Sequence, residues 1–211
     1  MSWKYGQYIW DRLYNEIGNK YGVAGLMGNL VAESNLIPYR LQGDFSNDYS
    51  ASIEYTEQVD NGTISEYDFV HNGPNGGGYG LAQWTFYSRK QALYNMKKQM
   101  GVSIGDIVLA VNYLIFELHN SYPSVYNVLV NATSIREASD TVLHDFEKPA
   151  DQSEAVEVNR ANLGQSVYNT YANTNPDPDP DPNPDPDPNP DPTPIVKIKS
   201  MPIWMYSQFR E

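Results

Sequence analysis

The sequence has no cysteine in its 211 residues and few basic residues, with 14 Lys and Arg against 26 Asp and Glu. The lack of cysteine excludes a disulfide scaffold, a zinc-thiolate site and a thiol nucleophile. The net charge of -12 disfavours a nucleic-acid partner, because binding to phosphates requires clustered Lys and Arg. We therefore expect neither a cysteine enzyme nor a nucleic-acid-binding protein.

Long apolar runs are also missing. No stretch approaches the roughly 18 apolar residues that a membrane-spanning helix requires. The first residues form an amphipathic pattern and not a basic segment followed by an apolar one, so we expect a route other than a secretory signal. The length suits one domain of ordinary size. We expect a monomer that does not insert into membranes.

Proline stands at every even-numbered position from 176 to 194, with Asp, Asn or Thr between. Alternate prolines favour an extended backbone and the Asp residues repel one another, so this run predicts a semi-rigid spacer. At about 3.1 Å per residue it would reach about 60 Å. We divide the chain into a body (1–173), a spacer (174–194) and a C-terminal tail (195–211). The tail is either the stub of a further module, a docking peptide or an ordinary terminus.

The body is predicted to be mainly helical. Apolar spacing and capping residues predict helices that end near Gly18, end near Asn35, begin after Asp106, begin at Pro123, begin after Ser134 and run from about 154 to 171. Residues 39–84 lack this periodicity, and Asp60-Asn61-Gly62-Thr63 predicts a hairpin turn. We predict a mainly α fold of the α+β type, with a small β-hairpin or loop insertion. Such an insertion is usually functional.

Glu33 is the first candidate for catalysis. It lies about 20° from Leu26 on the second predicted helix, and therefore on the apolar stripe. Partial burial and the helix dipole both disfavour a charged Glu33, as a general acid requires. The same geometry also fits a side chain that simply extends into solvent. Ala24, Gly28 and Ala32 line another face, which predicts close approach by a neighbouring element.

A glycine-rich segment at 76–85 is the second candidate feature. Tyr79 and Trp84 could stack on sugar faces, and Gln83 could bind hydroxyl or acetamido groups. A purely structural turn fits the same composition. The segment is not a phosphate cradle, because no Lys-Ser or Lys-Thr follows it.

Three motifs in this order resemble the phage tail-tip lysozyme family, within the superfamily that includes goose-type lysozymes and soluble lytic transglycosylases. They occupy residues 25–38, 78–85 and 146–149, and the resemblance covers about residues 5–172. It implies a lysozyme-like fold and peptidoglycan as the substrate. The bond to be cleaved is the β-1,4 linkage between N-acetylmuramic acid and N-acetylglucosamine.

The resemblance also implies roles for single residues. Glu33 matches the catalytic acid, and Gln83 lies near the bound glycan. Ser34 lies beside Glu33 in a supporting position, and we place it among the substrate-binding residues. Residues 146–149 match a motif to which we assign a structural role. A direct catalytic role for Glu147 remains the minor alternative.

A glycosidase usually needs a second carboxylate. We prefer Glu54, because residues 53–56 resemble a strand facing the cleft, and we place Tyr55 among the sugar-contacting aromatics together with Tyr79 and Trp84. Asp44 and Glu57 are the main alternatives. Members of the superfamily can also depend on a single Glu.

We therefore predict a peptidoglycan-degrading muramidase that acts as a phage endolysin or a tail-associated lysin. The alternatives are a lytic transglycosylase and a non-catalytic wall-binding or tail structural protein.

We expect no cofactor and no metal, because His71, His119 and His144 stand apart from any ligand motif. Glu117, in an apolar helix, is expected to be a buried and paired structural acid. Expected partners are glycan strands and, through the tail, phage tail proteins. The expected location is the host cytoplasm before holin-mediated release, or the virion tail.

Overall fold

The structure, a computed structural model, describes residues 2–46, 48–72 and 77–173, so that the predicted spacer and tail lie outside the described residues. These residues form eight α-helices: α1 (Gly6–Ile17), α2 (Lys20–Ser34), α3 (Ser50–Asp60), α4 (Tyr87–Met100), α5 (Ile107–Asn120), α6 (Pro123–Asn131), α7 (Ile135–Thr141) and α8 (Glu154–Tyr171). Two π-helical segments complete them, Asp68–Asn72 and Val142–Glu147. The predicted mainly α class is confirmed. None of the described helices has the length and apolarity to cross a membrane.

Local signals correctly predict several of the helix boundaries, although the helix predicted to run from Ser134 to Phe146 ends as an α-helix at Thr141. Gly18 and Asn35 terminate α1 and α2 in the left-handed conformation, with φ of 69° and 55°. Asp106 caps α5 by accepting hydrogen bonds from the backbone N–H groups of Val108 and Leu109. Pro123 begins α6 as predicted. These boundaries depend on residues within one turn of the helix end, which is why the sequence reveals them.

Helix α2 is the central element of the described body. It is buried from Gly22 to Leu30 and packs against α1, α6, α7 and α8. The approach of α8 is close: a Cβ atom on Gly28 would lie 2.5 Å from the backbone N of Gly164 and 2.6 Å from the carbonyl O of Arg160. The predicted small-residue face is thus confirmed at Gly28. The absence of a side chain there brings Arg160 next to the C-terminal half of α2.

The predicted hairpin is wrong. Residues 50–60 form α3, and Asn61 and Gly62 follow its end, with Gly62 at a φ of 82°. An Asn-Gly pair suits a helix terminus as well as a hairpin, because both need a residue with positive φ. Within the described residues, extended pairing is limited to isolated bridges of Tyr79 with Leu41 and with Trp84.

Candidate active site

A cleft of about 440 Å³ opens where the three sequence motifs meet. Its walls come from the C-terminal end of α2, the following segment 40–43, the glycine-rich motif, and residues 147–149 after the second π-helical segment. Among the described residues, the acidic side chains that line it are Glu33 and Glu147, and the cationic ones are Arg40, Arg89 and Lys148. The cleft is therefore more basic than the acidic protein that surrounds it.

Glu33 lies on the cleft wall and is ion-paired. Its side chain is 20% exposed, and its Oε1 accepts a 2.6 Å hydrogen bond from Nη2 of Arg160. Arg160 also donates from Nη1 to Oδ1 of Asn29, at 3.2 Å. Asn29 is itself held by the carbonyl groups of Gly25 and Ser139. The sequence reasoning placed Glu33 in the cleft region but missed this cation, which comes from α8.

Ser34 does not line the cleft. It is buried, and its hydroxyl donates to the carbonyl O of Leu30 at 3.0 Å. The expectation of substrate contact is therefore wrong for Ser34, because its hydroxyl faces its own helix. The supporting position that the resemblance implies agrees with this internal contact.

Gln83 does line the cleft, in a left-handed backbone conformation with φ of 44°. Its Nε2 donates to the carbonyl groups of Arg40 and Gly80, both at 3.1 Å. These two bonds use both N–H groups of the side-chain amide. The atom of this amide that remains for a ligand is the acceptor Oε1.

Tyr79 and Trp84 are not available for stacking on sugars, because both rings are buried, with 1% and 0% exposure. The Tyr79 hydroxyl lies 2.6 Å from Oγ1 of Thr56, and burial raises the pKa of Tyr79. Trp84 donates from Nε1 to Oε2 of Glu117 at 2.6 Å. These rings support the glycine-rich motif from beneath, so the expectation that they form a sugar platform is wrong.

Glu117 joins that support, and its predicted role as a buried, paired acid is confirmed. Besides Trp84, it accepts two hydrogen bonds from Arg89, at 2.7 and 2.9 Å, and one from the Tyr113 hydroxyl at 3.1 Å. Arg89 reaches the cleft lining from this network. The network thereby connects the core beneath the motif to the cleft.

Glu54, the predicted second acid, does not lie in the cleft. It lies on the exposed face of α3, where Gln58 donates to it at 3.1 Å, and it is not among the residues that line the cleft. Tyr55 is also in α3, with its ring buried against Phe69 and Tyr79. Both expectations fail because residues 53–56 are helical, so that their side chains follow a helical and not an alternating pattern.

The two alternative acids lie outside the cleft lining as well. Asp44 is buried and accepts hydrogen bonds from the backbone and hydroxyl groups of Ser46 and Ser52. Through Ser52 it holds the first turn of α3. Glu57 is exposed on the same helix. Neither carboxylate is in a position to face a substrate in this cleft.

Glu147 has the more unusual environment of the two cleft acids. Its Oε1 is buried and has no hydrogen-bond partner among the described residues. Burial, and then the negative charge of Glu33, raise the pKa of Glu147 well above its usual value, although Arg89 and Arg160 act in the opposite direction. The sequence feature that marked the region of Glu147 is the third motif, residues 146–149, to which the sequence analysis assigns a structural role.

The aromatic side chains exposed at the rim of the cleft are two phenylalanines, and not the residues predicted from the sequence. Phe45 is 88% exposed and Phe86 is 72% exposed, and both line the cleft. Their exposure leaves both rings open to a ligand that occupies the cleft. Nothing in the pattern around Phe45 or Phe86 distinguished them from the buried aromatics.

Comparison with protein families finds a match over residues 4–171 to the family described as phage tail lysozyme. No curated protein matches the chain.

Proposed function

The chain belongs to the phage tail lysozyme family, and we propose that it is a muramidase that hydrolyses the β-1,4 bond between N-acetylmuramic acid and N-acetylglucosamine. Family membership indicates a phage-encoded, peptidoglycan-lytic enzyme of glycosidase type that is associated with the virion tail and acts on the cell wall. The single observation that carries the finer proposal is Glu33, held by Arg160 on the wall of a cleft in which all three motifs meet.

The lining of the cleft suits an amino sugar. A volume of about 440 Å³ lies within the range of ordinary ligand sites. Oε1 of Gln83 can accept from an acetamido N–H or a sugar hydroxyl. Phe45 and Phe86 offer exposed ring faces to the apolar faces of the sugars.

Glu33 is the proton donor in the proposed reaction. Its protonated carboxyl gives the proton to the glycosidic oxygen as the bond from that oxygen to C1 breaks. Water adds its hydroxyl to C1 and releases its remaining proton. Arg160 stabilises the carboxylate that Glu33 becomes after the transfer, because it donates directly to Oε1.

A lytic transglycosylase is the second candidate. It is favoured by one observation: none of the acids among the described residues of the 39–84 segment, including Asp44, Glu54 and Glu57, lines the cleft. In this reaction the muramyl 6-hydroxyl attacks C1 in place of water. The product is an anhydromuramyl sugar, which is lighter by one water molecule.

The test compares wild-type protein with Glu33→Gln by zymography on Gram-positive walls, followed by mass spectrometry of the products. Glu54→Gln is the matched control, because it removes an exposed carboxylate of α3. We expect Glu33→Gln to abolish clearing and Glu54→Gln to preserve it. Clearing by Glu33→Gln at the wild-type rate would show that Glu33 is not the proton donor, and absence of clearing by the wild type would favour a non-catalytic wall-binding or tail structural protein.

The place of action is part of the proposal. We propose that the enzyme, as a monomer, acts from the virion tail, or alternatively from the host cytoplasm after holin-mediated release. The C-terminal tail (195–211) is the segment proposed to contact phage tail proteins. Immunodetection in purified virions separates these two locations.

A further inference from the structure

Two carboxyl groups line the same cleft, and they come from distant parts of the chain. Glu33 lies in the last turn of α2, and Glu147 ends the second π-helical segment. Lys148 takes up a left-handed conformation directly after Glu147, with φ of 51°, and its N–H donates to the carbonyl of Leu143. This sharp end to the helical segment holds Glu147 in the cleft wall.

The two carboxyl groups have opposite surroundings. Glu33 accepts a charge-assisted hydrogen bond from Nη2 of Arg160 at 2.6 Å. Oε1 of Glu147 is buried without any such partner in the described part of the chain. An unpaired buried carboxylate is costly, whereas a protonated carboxyl is much less so.

The cations near Glu147 are paired with other acids. The charged groups that act on it are Glu33 from α2, Arg89 from α4, Glu117 from α5 and Arg160 from α8. Arg89 already makes a two-point contact with Glu117, and Arg160 already pairs with Glu33 and Asn29. Each cation is therefore largely neutralised by an acid other than Glu147.

We propose that Glu147 is the second catalytic carboxyl of the cleft and that it shares a single proton with Glu33. In the free enzyme the proton is on Glu147, and Glu33 is the carboxylate paired with Arg160. This proposal rests on the proposed glycosidase function, and it identifies the group that receives the proton of the attacking water.

Both carboxyl groups return to their starting protonation states after one turnover. With substrate bound, the proton passes from Glu147 to Glu33, and Glu33 donates it to the glycosidic oxygen as the C1–O bond breaks. The attacking water gives its hydroxyl to C1 and its proton to Glu147. The products leave Glu147 protonated and Glu33 ionised, which is the starting state. No other proton donor or acceptor is required.

The first test uses the wild-type protein alone. Infrared spectra at pH 7, with the glutamates isotopically labelled, are expected to show a protonated glutamic acid that is absent from the spectrum of Glu147→Gln. A wild-type spectrum with only ionised glutamates at pH 7 would overturn the proposal, whether or not any variant folds.

The second test is kinetic. Glu147→Gln keeps the size and neutrality of the protonated side chain but cannot accept a proton. We expect at least a ~100-fold loss of hydrolysis at pH 7 and a pH optimum displaced to more acidic values, because Glu33 must then take its proton from solvent. Formate is expected to restore part of the activity of Glu147→Ala, since it supplies a carboxylate to the cleft. Glu57→Gln, on the exposed face of α3, is the control that keeps wild-type kinetics.

The outcomes separate this proposal from the proposed function. If Glu33→Gln is inactive while Glu147→Gln keeps the wild-type rate and pH profile, then Glu147 has a structural role only and the glycosidase function stands. If Glu33→Gln also keeps wild-type activity, Glu33 is not the proton donor, and if the wild type releases no glycan products, the glycosidase function itself is refuted.

Discussion

Arg160 donates from Nη2 to Oε1 of Glu33 at 2.6 Å, across the 127 residues that separate them in the chain. The same guanidinium donates to Asn29, so that one side chain of α8 ties two positions of α2. Because Arg160 is only 9% exposed and Glu33 only 20%, the contact is shielded from solvent. The Arg160–Glu33 pair therefore contributes both to the packing of α8 on α2 and to the position of Glu33 in the cleft.

Substitution of Arg160 should affect stability and lysis together. We expect Arg160→Ala to lower the free energy of unfolding by about 3 kcal/mol, because it leaves a largely buried carboxylate unpaired. Arg160→Lys should recover only part of this loss, since an ammonium lacks the planar fork that reaches both partners. Urea unfolding and turbidity assays measure both effects.

Lys98→Ala, at an exposed pair with Glu66, should change stability by no more than about 0.5 kcal/mol. Equal effects at Arg160 and Lys98 would contradict this role of Arg160.

Gly28→Ala should move α8 away from α2. The new Cβ would lie 2.5 Å and 2.6 Å from backbone atoms of Gly164 and Arg160, and backbone cannot give way as a flexible side chain does. We expect a loss of about 1–3 kcal/mol in thermal unfolding, together with reduced lysis. Gly101→Asn is the control, because its left-handed site at the end of α4 has open space around it. If Gly28→Ala leaves both the stability and the lytic activity unchanged, the close contact between the two helices is dispensable.

Glu117→Gln should destabilise the support beneath the glycine-rich motif. The change leaves the guanidinium of Arg89 without its carboxylate in a nearly buried site, where side-chain exposures are 14% for Arg89 and 4% for Glu117. We expect a loss of about 3 kcal/mol in urea unfolding. The exposed Glu57→Gln should be nearly neutral. If both substitutions cost the same, the network around Trp84 contributes little.

Asp44 should give the protein an acid-sensitive stability. Burial alone would raise the pKa of Asp44, but hydrogen bonds from Ser46 and Ser52 outweigh it and lower that pKa below the usual value. The folded-state pKa is thus below that of the unfolded chain, about 3.9, so the stabilisation is present above that pH and is lost as the pH falls further.

Asp44→Asn is the corresponding variant. Its destabilisation relative to wild type should be largest at neutral pH and should shrink steadily below about pH 4. Urea unfolding at pH 7, 4 and 3 provides the comparison. A difference between wild type and Asp44→Asn that stays constant over this range would refute the assignment.

The rim phenylalanines should act on substrate binding. Loss of one stacking contact costs about 1 kcal/mol, so we expect Phe45→Ala or Phe86→Ala to raise KM about fivefold with little change in kcat or Tm. Tyr67→Ala is the control, since Tyr67 is 64% exposed but does not line the cleft. Initial rates on soluble glycan fragments measure KM directly. An unchanged KM in both variants would remove these rings from the site.

Sequence reasoning predicted six of the eight described α-helices, but it missed α4 and it failed in the 39–84 segment, where α3 lies. The ends of α1, α2 and α5 depend on Gly18, Asn35 and Asp106, which act within one turn. Residues 50–60 lack a clear apolar period, and α3 is stabilised by tertiary contacts. Asp44 holds its first turn, and Asp60 at its end accepts from the N–H of Ile104. Such contacts leave no pattern in the local sequence.

The sequence by itself determined the helix that carries Glu33, the mainly helical class and the family. These depend on helical periodicity and on short motifs, which are local properties of the chain. Only the tertiary structure decided that Arg160 pairs with Glu33, that Glu147 faces the same cleft, and which aromatic rings are exposed. The reason is that charge compensation and burial depend on distances in space, and helix packing at Gly28 sets those distances between residues far apart in sequence.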